Sequence, residues 1–230
     1  GKRKIETKDE LEKLSIETSH PLWLVKMFTK QYDYETAKKI CIHDNTPPGR
    51  TARVNTLKTN KNTLLKEGCF ENGNLAPDAL LYNAGNIAES TYFKEGLVTI
   101  QDESSQLVAP LLSPSEDDLV LDMCCAPGSK TTHLAALMNN KGKIIACDLF
   151  EHKIKLVKEN LKRLNISNVE LHAIDATTLK EKYLEGTFDK ILLDAPCSGL
   201  GVMKRKPEIK YHDSSVMDTI IPVSYTHLRA

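Results

Sequence analysis

The sequence predicts an α/β fold, with a parallel sheet in the second half of the chain and a small α+β region before it. After residue 118, short apolar runs alternate with amphipathic segments, which is typical of parallel strands joined by helical crossovers. The first half mixes helical and strand patterns without that regular alternation. The hydrophobic content of 40% is somewhat below a typical globular share, but the charged content of 27% is ordinary, and this composition excludes a disordered or fibrous chain.

Charge and hydropathy narrow the class of protein further. Basic and acidic residues number 31 each, so the chain is not a highly basic protein that wraps nucleic acid. The apolar runs are far shorter than the roughly 20 residues that cross a bilayer, and no apolar signal segment stands near the first residue. We therefore expect a cytoplasmic protein without membrane association.

Cap and turn residues delimit the elements of the first half. Residues 7–10 fit a capping box before a first helix, His20-Pro21 opens a second helix, and Pro47-Pro48 follows a third. The second and third helices are predicted at residues 22–30 and 34–42, further helices at 63–68 and 104–112, and strands at 52–57 and 98–100.

The second half is predicted to alternate regularly. Its strands are expected at residues 119–123, 143–147, 169–174 and 188–193, and its helices at 130–138, 151–164 and 176–183. A Ser, Pro and acidic stretch at 113–118 predicts a linker between a first region, 1–112, and a domain that begins at 119.

An aspartate stands at the end of each predicted parallel strand: Asp122, Asp148, Asp175 and Asp194. Parallel strands end at one edge of a sheet, where ligands of open α/β folds bind. One such aspartate alone is more often a helix cap than a ligand-binding residue. Four together predict a ligand rich in hydroxyl and amine groups, and Asp148, at the second strand, suits a ribose diol.

The loop after the first strand does not fit a phosphate-binding motif. A P-loop needs glycines where this chain has Cys124 and Ser129, and the GxGxxG fingerprint is absent because Gly128 stands alone. An adenosine ligand without phosphates fits better, and S-adenosylmethionine is the obvious candidate. A tight turn at Pro127-Gly128 would let the backbone approach its methionine end.

The fourth strand is followed by the tetrapeptide Asp194-Ala195-Pro196-Cys197. A lone cysteine is more often a buried structural thiol, but a Pro-Cys beside a methyl donor suits attack on a pyrimidine. A thiolate that adds to C6 of cytosine makes C5 nucleophilic, after which C5 takes the methyl group, loses its proton and eliminates the thiol. Six cysteines without a CxxC spacing predict neither a zinc site nor a disulfide framework.

Longer motifs around these residues resemble a known family. The segments LDMCCAPGSKTTHLAALM, IIACDLFEHK and FDKILLDAPCSGLGVMKRKPEIKY resemble the RNA cytosine-C5 methyltransferases, and most closely the bacterial RsmB (Sun, Fmu) type that modifies 16S ribosomal RNA. SHPLWLVKMF, RVNTLKT and TIQDESSQLVAPLL resemble the RNA-binding segment of that type. The resemblance implies a Rossmann-like class I S-adenosylmethionine-dependent methyltransferase sheet.

The resemblance also implies roles for single residues. Asp148 would hold the ribose hydroxyls, Asp175 would lie near the adenine amine, and Asp194 would lie between the cofactor and the target cytosine. Lys130 would approach the cytosine, and Cys197 would assist product release. The cofactor-binding loop would consist of Cys124, Cys125, Ala126, Pro127, Gly128, Ser129 and Lys130, although the family usually has Ala at Cys125 and Gly at Ser129.

In this family the covalent nucleophile is a second cysteine, in a Thr-Cys motif on a later strand, and no cysteine follows Cys197 here. We therefore expect a fragment, truncated at both ends, with a partial methyltransferase domain at 119–222 whose sheet is incomplete at its C-terminal end. We expect residues 223–230 to be a non-native tail, and the chain to be a poor catalyst even if it binds the cofactor.

The best candidate for RNA contact is the basic cluster Lys204, Arg205 and Lys206, beside the Pro-Cys segment in the sequence. Single-stranded or loop RNA is expected, because the target base must leave its stack. Two alternatives stay open. One is a DNA cytosine-C5 methyltransferase with Cys197 as its nucleophile, and the other is a catalytically silent fragment that binds cofactor or RNA.

Overall fold

The computed structural model describes residues 7–195 and 197–212, which belong to two compact units. One unit comprises residues 1–48 and 196–230, and the other runs from Gly49 to Ala195. The predicted linker, 113–118, therefore lies inside the second unit. There Glu116 pairs with Lys141 at 2.7 Å, so the segment is tied to a neighbouring turn. The predicted domain boundaries stay a prediction.

The first unit is helical in its described part. Its helices are α1 (Glu10–Thr18), α2 (Leu22–Gln31) and α3 (Tyr34–Asp44), followed much later in the sequence by 3-10 turns at Leu200–Val202 and Pro207–Tyr211. The three helices occur where the sequence predicts them. Their shared core includes Leu24, Val25 and Cys41, and Met203 and Ile209 of the later segment pack into it.

The predicted capping box before α1 is wrong in detail. Asp9, not Thr7, is the cap residue, and its carboxylate accepts hydrogen bonds from the N–H groups of Leu11 (2.8 Å) and Glu12 (3.4 Å). Asp9 immediately precedes the first helical residue and is as good an N-cap as Ser or Thr, so it displaces the more distant threonine. The Thr7 hydroxyl instead donates to the Glu12 carboxylate at 2.8 Å.

A small antiparallel sheet begins the second unit, in the strand order β2 (Phe70–Asn72), β3 (Ala79–Tyr82), β1 (Thr51–Val54) and β4 (Val98–Ile100). We call it the small sheet. Its buried face includes Ala52, Val54, Leu80 and Val98. Its elements are β1 (Thr51–Val54), α4 (Lys61–Leu65), β2 (Phe70–Asn72), β3 (Ala79–Tyr82), a 3-10 turn (Ile87–Glu89), α5 (Thr91–Lys94), β4 (Val98–Ile100), α6 (Glu103–Gln106) and α7 (Val108–Leu112).

Two features of this region differ from the prediction. Strands β2 and β3 are not predicted, because three and four residues are too few to show an alternating apolar pattern. The single helix predicted at 104–112 is instead two short helices, α6 and α7, that meet at Leu107. Pro110 explains the break, because proline has no N–H to donate to the carbonyl of Gln106 four residues earlier.

The rest of the second unit is the predicted parallel sheet, in the strand order β7 (Val169–Ala173), β6 (Lys143–Asp148), β5 (Leu119–Asp122) and β8 (Lys190–Leu192). The predicted fold class, an α/β fold whose parallel sheet is preceded by a small α+β region, is confirmed. Its elements are β5 (Leu119–Asp122), α8 (Ser129–Leu137), β6 (Lys143–Asp148), α9 (Glu151–Leu164), β7 (Val169–Ala173), a 3-10 turn (Ala176–Thr178), α10 (Leu179–Lys182) and β8 (Lys190–Leu192).

The parallel sheet has a continuous core on one face. Val120 and Ile144 of the strands are fully buried, as are Leu134 of α8 and Val157 of α9. Burying a Leu or Val side chain contributes about 1.5–3 kcal/mol, so this layer holds the helices against the sheet. Among the described residues, no helix is long and apolar enough to cross a membrane.

Shortening Leu134 to alanine (Leu134→Ala) should lower the free energy of unfolding by about 2–5 kcal/mol, because the site is fully enclosed and a cavity would remain. Urea denaturation followed by circular dichroism measures this change. Leu111→Ala is the matched control: Leu111 is 83% exposed, so it should change the free energy by no more than about 0.5 kcal/mol. Equal effects of the two changes would contradict the proposed core.

Strand β8 lies at one edge of the sheet, and within 7–195 and 197–212 it pairs only with β5. Ile191 on this strand is 49% exposed, and apolar edges promote association between chains. Ile191→Lys should therefore slow aggregation, measured by light scattering on mild heating. Leu184→Lys, at a residue that is 86% exposed and outside the strands, controls for added charge alone. If both variants slow aggregation equally, the strand edge is not responsible.

Candidate active site

The aspartates at the strand ends meet at one edge of the parallel sheet, as the sequence predicts. Asp122 ends β5 and Asp148 ends β6, while Asp175 and Asp194 lie two residues beyond β7 and β8. Because β5 pairs with both β6 and β8, the strand order reverses there. Ligands of open α/β sheets bind at such a reversal, so this edge is the candidate site.

Asp122 is almost fully buried and organises the loop that follows it. Its carboxylate accepts hydrogen bonds from the Thr131 hydroxyl at 2.7 Å and from the Cys124 N–H at 3.3 Å. Burial raises the pKa of Asp122 to about 6, well above the ordinary range of an aspartate. Sequence reasoning gave it no separate role, although its position directly before the loop was a usable signal.

Gly128 makes the sharp turn between β5 and α8 possible. Its φ is +99°, in the left-handed region, and a Cβ atom there would lie 3.0 Å from Cγ1 of Val157. Glycine is thus favoured both by backbone conformation and by the close approach of α9. The glycine also has no side chain to cap α8, so the first-turn N–H groups of this helix can face a ligand.

Three further hydrogen bonds hold the same loop. The Cys125 N–H donates to the carbonyl of Cys147 on β6 at 2.8 Å, and the Gly128 N–H donates to the Cys125 carbonyl at 2.7 Å. The Asn160 side chain on α9 donates to the Pro127 carbonyl at 3.0 Å. These hydrogen bonds hold the backbone of the predicted cofactor-binding loop, so its turn is preformed.

The thiols of this region are poor nucleophiles. Burial raises the pKa of Cys124 and of Cys147 to about 11, and that of Cys125 further still. Each thiol therefore stays protonated near neutral pH, and a protonated thiol does not attack a base. Cys197, by contrast, is exposed.

Lys130 and Asp194, both predicted as site residues, form an ion pair. The Lys130 Nζ lies 2.6 Å from Asp194 Oδ2, although the two residues are 64 positions apart in the chain. The lysine side chain is 18% exposed and the aspartate side chain 51% exposed, so the pair borders solvent. The carboxylate can thus meet a further polar group while the lysine holds it.

Asp148 is nearly buried at the end of β6. Its Oδ1 accepts from the Phe150 N–H at 3.3 Å and lies 3.7 Å from the Lys153 Nζ. The next two residues, Leu149 and Phe150, are 55% and 46% exposed. Two exposed apolar side chains therefore directly follow Asp148 in the sequence. Sequence reasoning missed Leu149 and Phe150; the signal was a pair of apolar residues between an acidic strand end and a helix start.

The other predicted site residues are Asp175, Cys197 and the basic cluster 204–206. Asp175 caps the 3-10 turn that follows β7, accepting from the Thr177 N–H at 2.9 Å and from the Thr177 hydroxyl at 2.8 Å. Cys197 and the cluster Lys204, Arg205 and Lys206 belong to the other compact unit.

In that unit the Lys204 Nζ lies 3.4 Å from the His43 Nε2, and Lys206 is exposed. Among residues 7–195 and 197–212, no group of three or more His, Cys, Asp or Glu side chains could hold a metal ion.

Two protein families match parts of the chain. The family described as 16S rRNA methyltransferase RsmB/F matches residues 109–221, and the RsmF/B-like ferredoxin-like domain family matches residues 20–81.

The "Probable ribosomal RNA small subunit methyltransferase B" of Bacillus subtilis is 47% identical over 208 residues, covering 88% of this chain and 46% of the relative. A "tRNA (cytosine(72)-C(5))-methyltransferase" of Pyrococcus horikoshii is 44% identical over 117 residues, covering 51% and 30%.

Among solved structures, the protein described as PH0851 superposes with a TM-score of 0.85 at 32% identity, over 95% of this chain and 51% of that one. The chain spans about half the length of the curated relatives that it matches. The two family matches, the relatives and the shared fold agree, and the chain belongs to the RsmB/F family of methyltransferases.

Proposed function

We propose that this chain is the cofactor-binding part of an S-adenosylmethionine-dependent RNA cytosine-C5 methyltransferase that acts on 16S ribosomal RNA in the cytoplasm. The observation that carries the proposal is the shared sheet edge of an RsmB/F chain, where the preformed β5–α8 loop, Asp148 and the Lys130–Asp194 pair come together.

The described residues fit S-adenosylmethionine. At Gly128 a Cβ atom would crowd the Val157 side chain at 3.0 Å, and the open N–H groups of α8 suit the carboxylate of the methionine part. Asp148 would accept the ribose hydroxyls, with the exposed rings and chains of Leu149 and Phe150 beside the adenine. Asp175 would face the adenine amine. When bound, the cofactor supplies an electrophilic methyl group.

The Lys130–Asp194 pair would recognise the target base. The half-exposed Asp194 carboxylate can accept a hydrogen bond from the exocyclic amine of cytosine, and Lys130 holds that carboxylate in place through the 2.6 Å ion pair. Cys197, exposed and close in sequence, would assist release of the methylated product.

The sequence leaves two alternative functions open, a DNA methyltransferase and a catalytically silent fragment, and they receive different support. The named relatives are ribosomal and transfer RNA methyltransferases, which favours RNA over DNA as the substrate. The silent-fragment alternative stays open, since burial raises the pKa of the loop thiols Cys124 and Cys125 and keeps them protonated. Cofactor binding is therefore the property to measure first.

Replacing Asp148 by alanine (Asp148→Ala) should weaken S-adenosylmethionine binding by about 10- to 100-fold, the range for losing hydrogen bonds to a charged group. Isothermal titration calorimetry measures it. Glu159→Gln also removes one negative charge, on the exposed face of α9, and should leave the affinity unchanged. A wild-type chain with no measurable affinity would refute the proposed cofactor, and equal losses in both variants would refute the role of Asp148.

The basic cluster gives a second test. Lys204→Glu with Lys206→Glu should weaken binding of a single-stranded 16S rRNA fragment about tenfold or more at low salt, and should reduce its salt dependence. Fluorescence anisotropy measures both. Lys155→Glu with Lys158→Glu makes the same change of net charge on the exposed face of α9. If this control weakens RNA binding as much, net charge and not the cluster is responsible.

A further inference from the structure

One buried arginine reaches from the small sheet to the candidate site. Arg53 on β1 is 2% exposed, and its guanidinium donates to the Ser129 carbonyl at 2.7 Å and to the Thr132 hydroxyl at 3.0 Å. It also donates to the Gln101 side chain, just beyond β4. Ser129 and Thr132 both lie in the first turn of α8, so two of these three bonds go to the helix that begins at the Gly128 turn.

A buried guanidinium is costly unless its N–H groups find acceptors. Burial lowers the pKa of Arg53 to about 9, so the group is still charged at pH 7. Its acceptors are neutral oxygens of a carbonyl, a hydroxyl and an amide. Nη1 donates to Gln101 and Ser129 while Nη2 donates to Thr132, so two nitrogens of the rigid guanidinium are used, whereas a lysine would offer one point charge.

The hydrogen bond from Arg53 to the Ser129 carbonyl lies directly beside Lys130, a predicted site residue. The carbonyl of Ser129 belongs to the peptide that joins it to Lys130, and Lys130 pairs with Asp194. Thr132 in turn donates its hydroxyl to the same Ser129 carbonyl at 3.1 Å. A rotation of this peptide would turn the first N–H groups of α8 and displace the lysine.

We propose that Arg53 is a positioning residue that fixes the first turn of α8 and thereby sets the geometry of the cofactor-binding loop. For cofactor binding, this inference rests on the proposed function. The positioning role of Arg53 gives the RVNTLKT segment a function other than RNA contact, because Arg53, the arginine of that segment, is buried in the protein interior. The small sheet would then contribute to cofactor affinity without touching the cofactor.

Asn55 provides a matched comparison two residues further along the chain. It is 4% exposed and also links the small sheet to the parallel sheet's helices, donating to the carbonyls of Gly96 at 2.8 Å and Leu164 at 3.0 Å. Leu164 ends α9, whereas the site lies where α9 begins. Loss of Asn55 should therefore loosen the same two sheets without moving the loop.

The test compares Arg53→Gln with Asn55→Ala in two measurements made well below the melting temperatures. Calorimetry with S-adenosylmethionine should show about a tenfold or larger loss of affinity for Arg53→Gln and less than a twofold loss for Asn55→Ala. Hydrogen exchange without ligand should rise across residues 129–134 in Arg53→Gln and not in Asn55→Ala. If Arg53→Gln fails to fold, Arg53→Lys keeps the charge and the buried stem while losing the fork, and should show the same pattern.

The two measurements separate this inference from the proposed function. If the wild-type chain does not bind S-adenosylmethionine but exchange at 129–134 still rises only in the arginine variant, the positioning stands and the cofactor assignment falls. If the wild type binds and both variants bind equally well, or if both raise exchange at 129–134 to the same extent, Arg53 is a general structural residue and the inference is overturned.

Discussion

The parallel pairing of β5 with β6 and β8 is the constraint on which the candidate site depends. Parallel strands cannot be joined by tight hairpins, so a helix must carry the chain back after each strand. As a result β5, β6 and β8 all finish at one edge, and residues as distant as Lys130 and Asp194 come within 2.6 Å. The fully buried Val120 and Ile144 stabilise this pairing, so the core and the site are products of one topology.

A second constraint is the set of buried polar groups between the small sheet and the helices of the parallel sheet. Arg53 on β1 and Asn55, directly after β1, donate hydrogen bonds to these helices. In the other direction, Arg163 on α9 donates to the carbonyls of Phe93 and Val98. Gly96 allows the backbones to approach closely, since a Cβ atom there would lie 2.1 Å from the Arg163 carbonyl oxygen. Directional bonds of this kind specify one arrangement, whereas apolar contacts alone tolerate several.

Much of this architecture could be predicted from the sequence, because the parallel half has strong patterns. The sequence predicts α9 with its observed bounds, and it predicts that the four aspartates share an edge of the sheet. Strands β2 and β3 could not be predicted, since three or four residues are too few to show a period. The sequence signals the position of Asp122 before the loop, but neither its hydrogen bonds nor the inward orientation of Arg53 could be predicted. Both depend on burial and on partners that are 9 and 76 residues away.

The contrast among the cysteines has a practical consequence for labelling chemistry. All six lie in the described part of the chain: Cys41, Cys125 and Cys147 are buried, Cys69 and Cys124 are partly covered, and Cys197 is exposed. A maleimide dye reacts with an accessible thiolate, so burial together with a raised pKa protects Cys124, Cys125 and Cys147. A dye would therefore couple preferentially at Cys197. The native chain thus carries its own attachment point for a fluorescent reporter in the Pro-Cys segment, without any engineered cysteine.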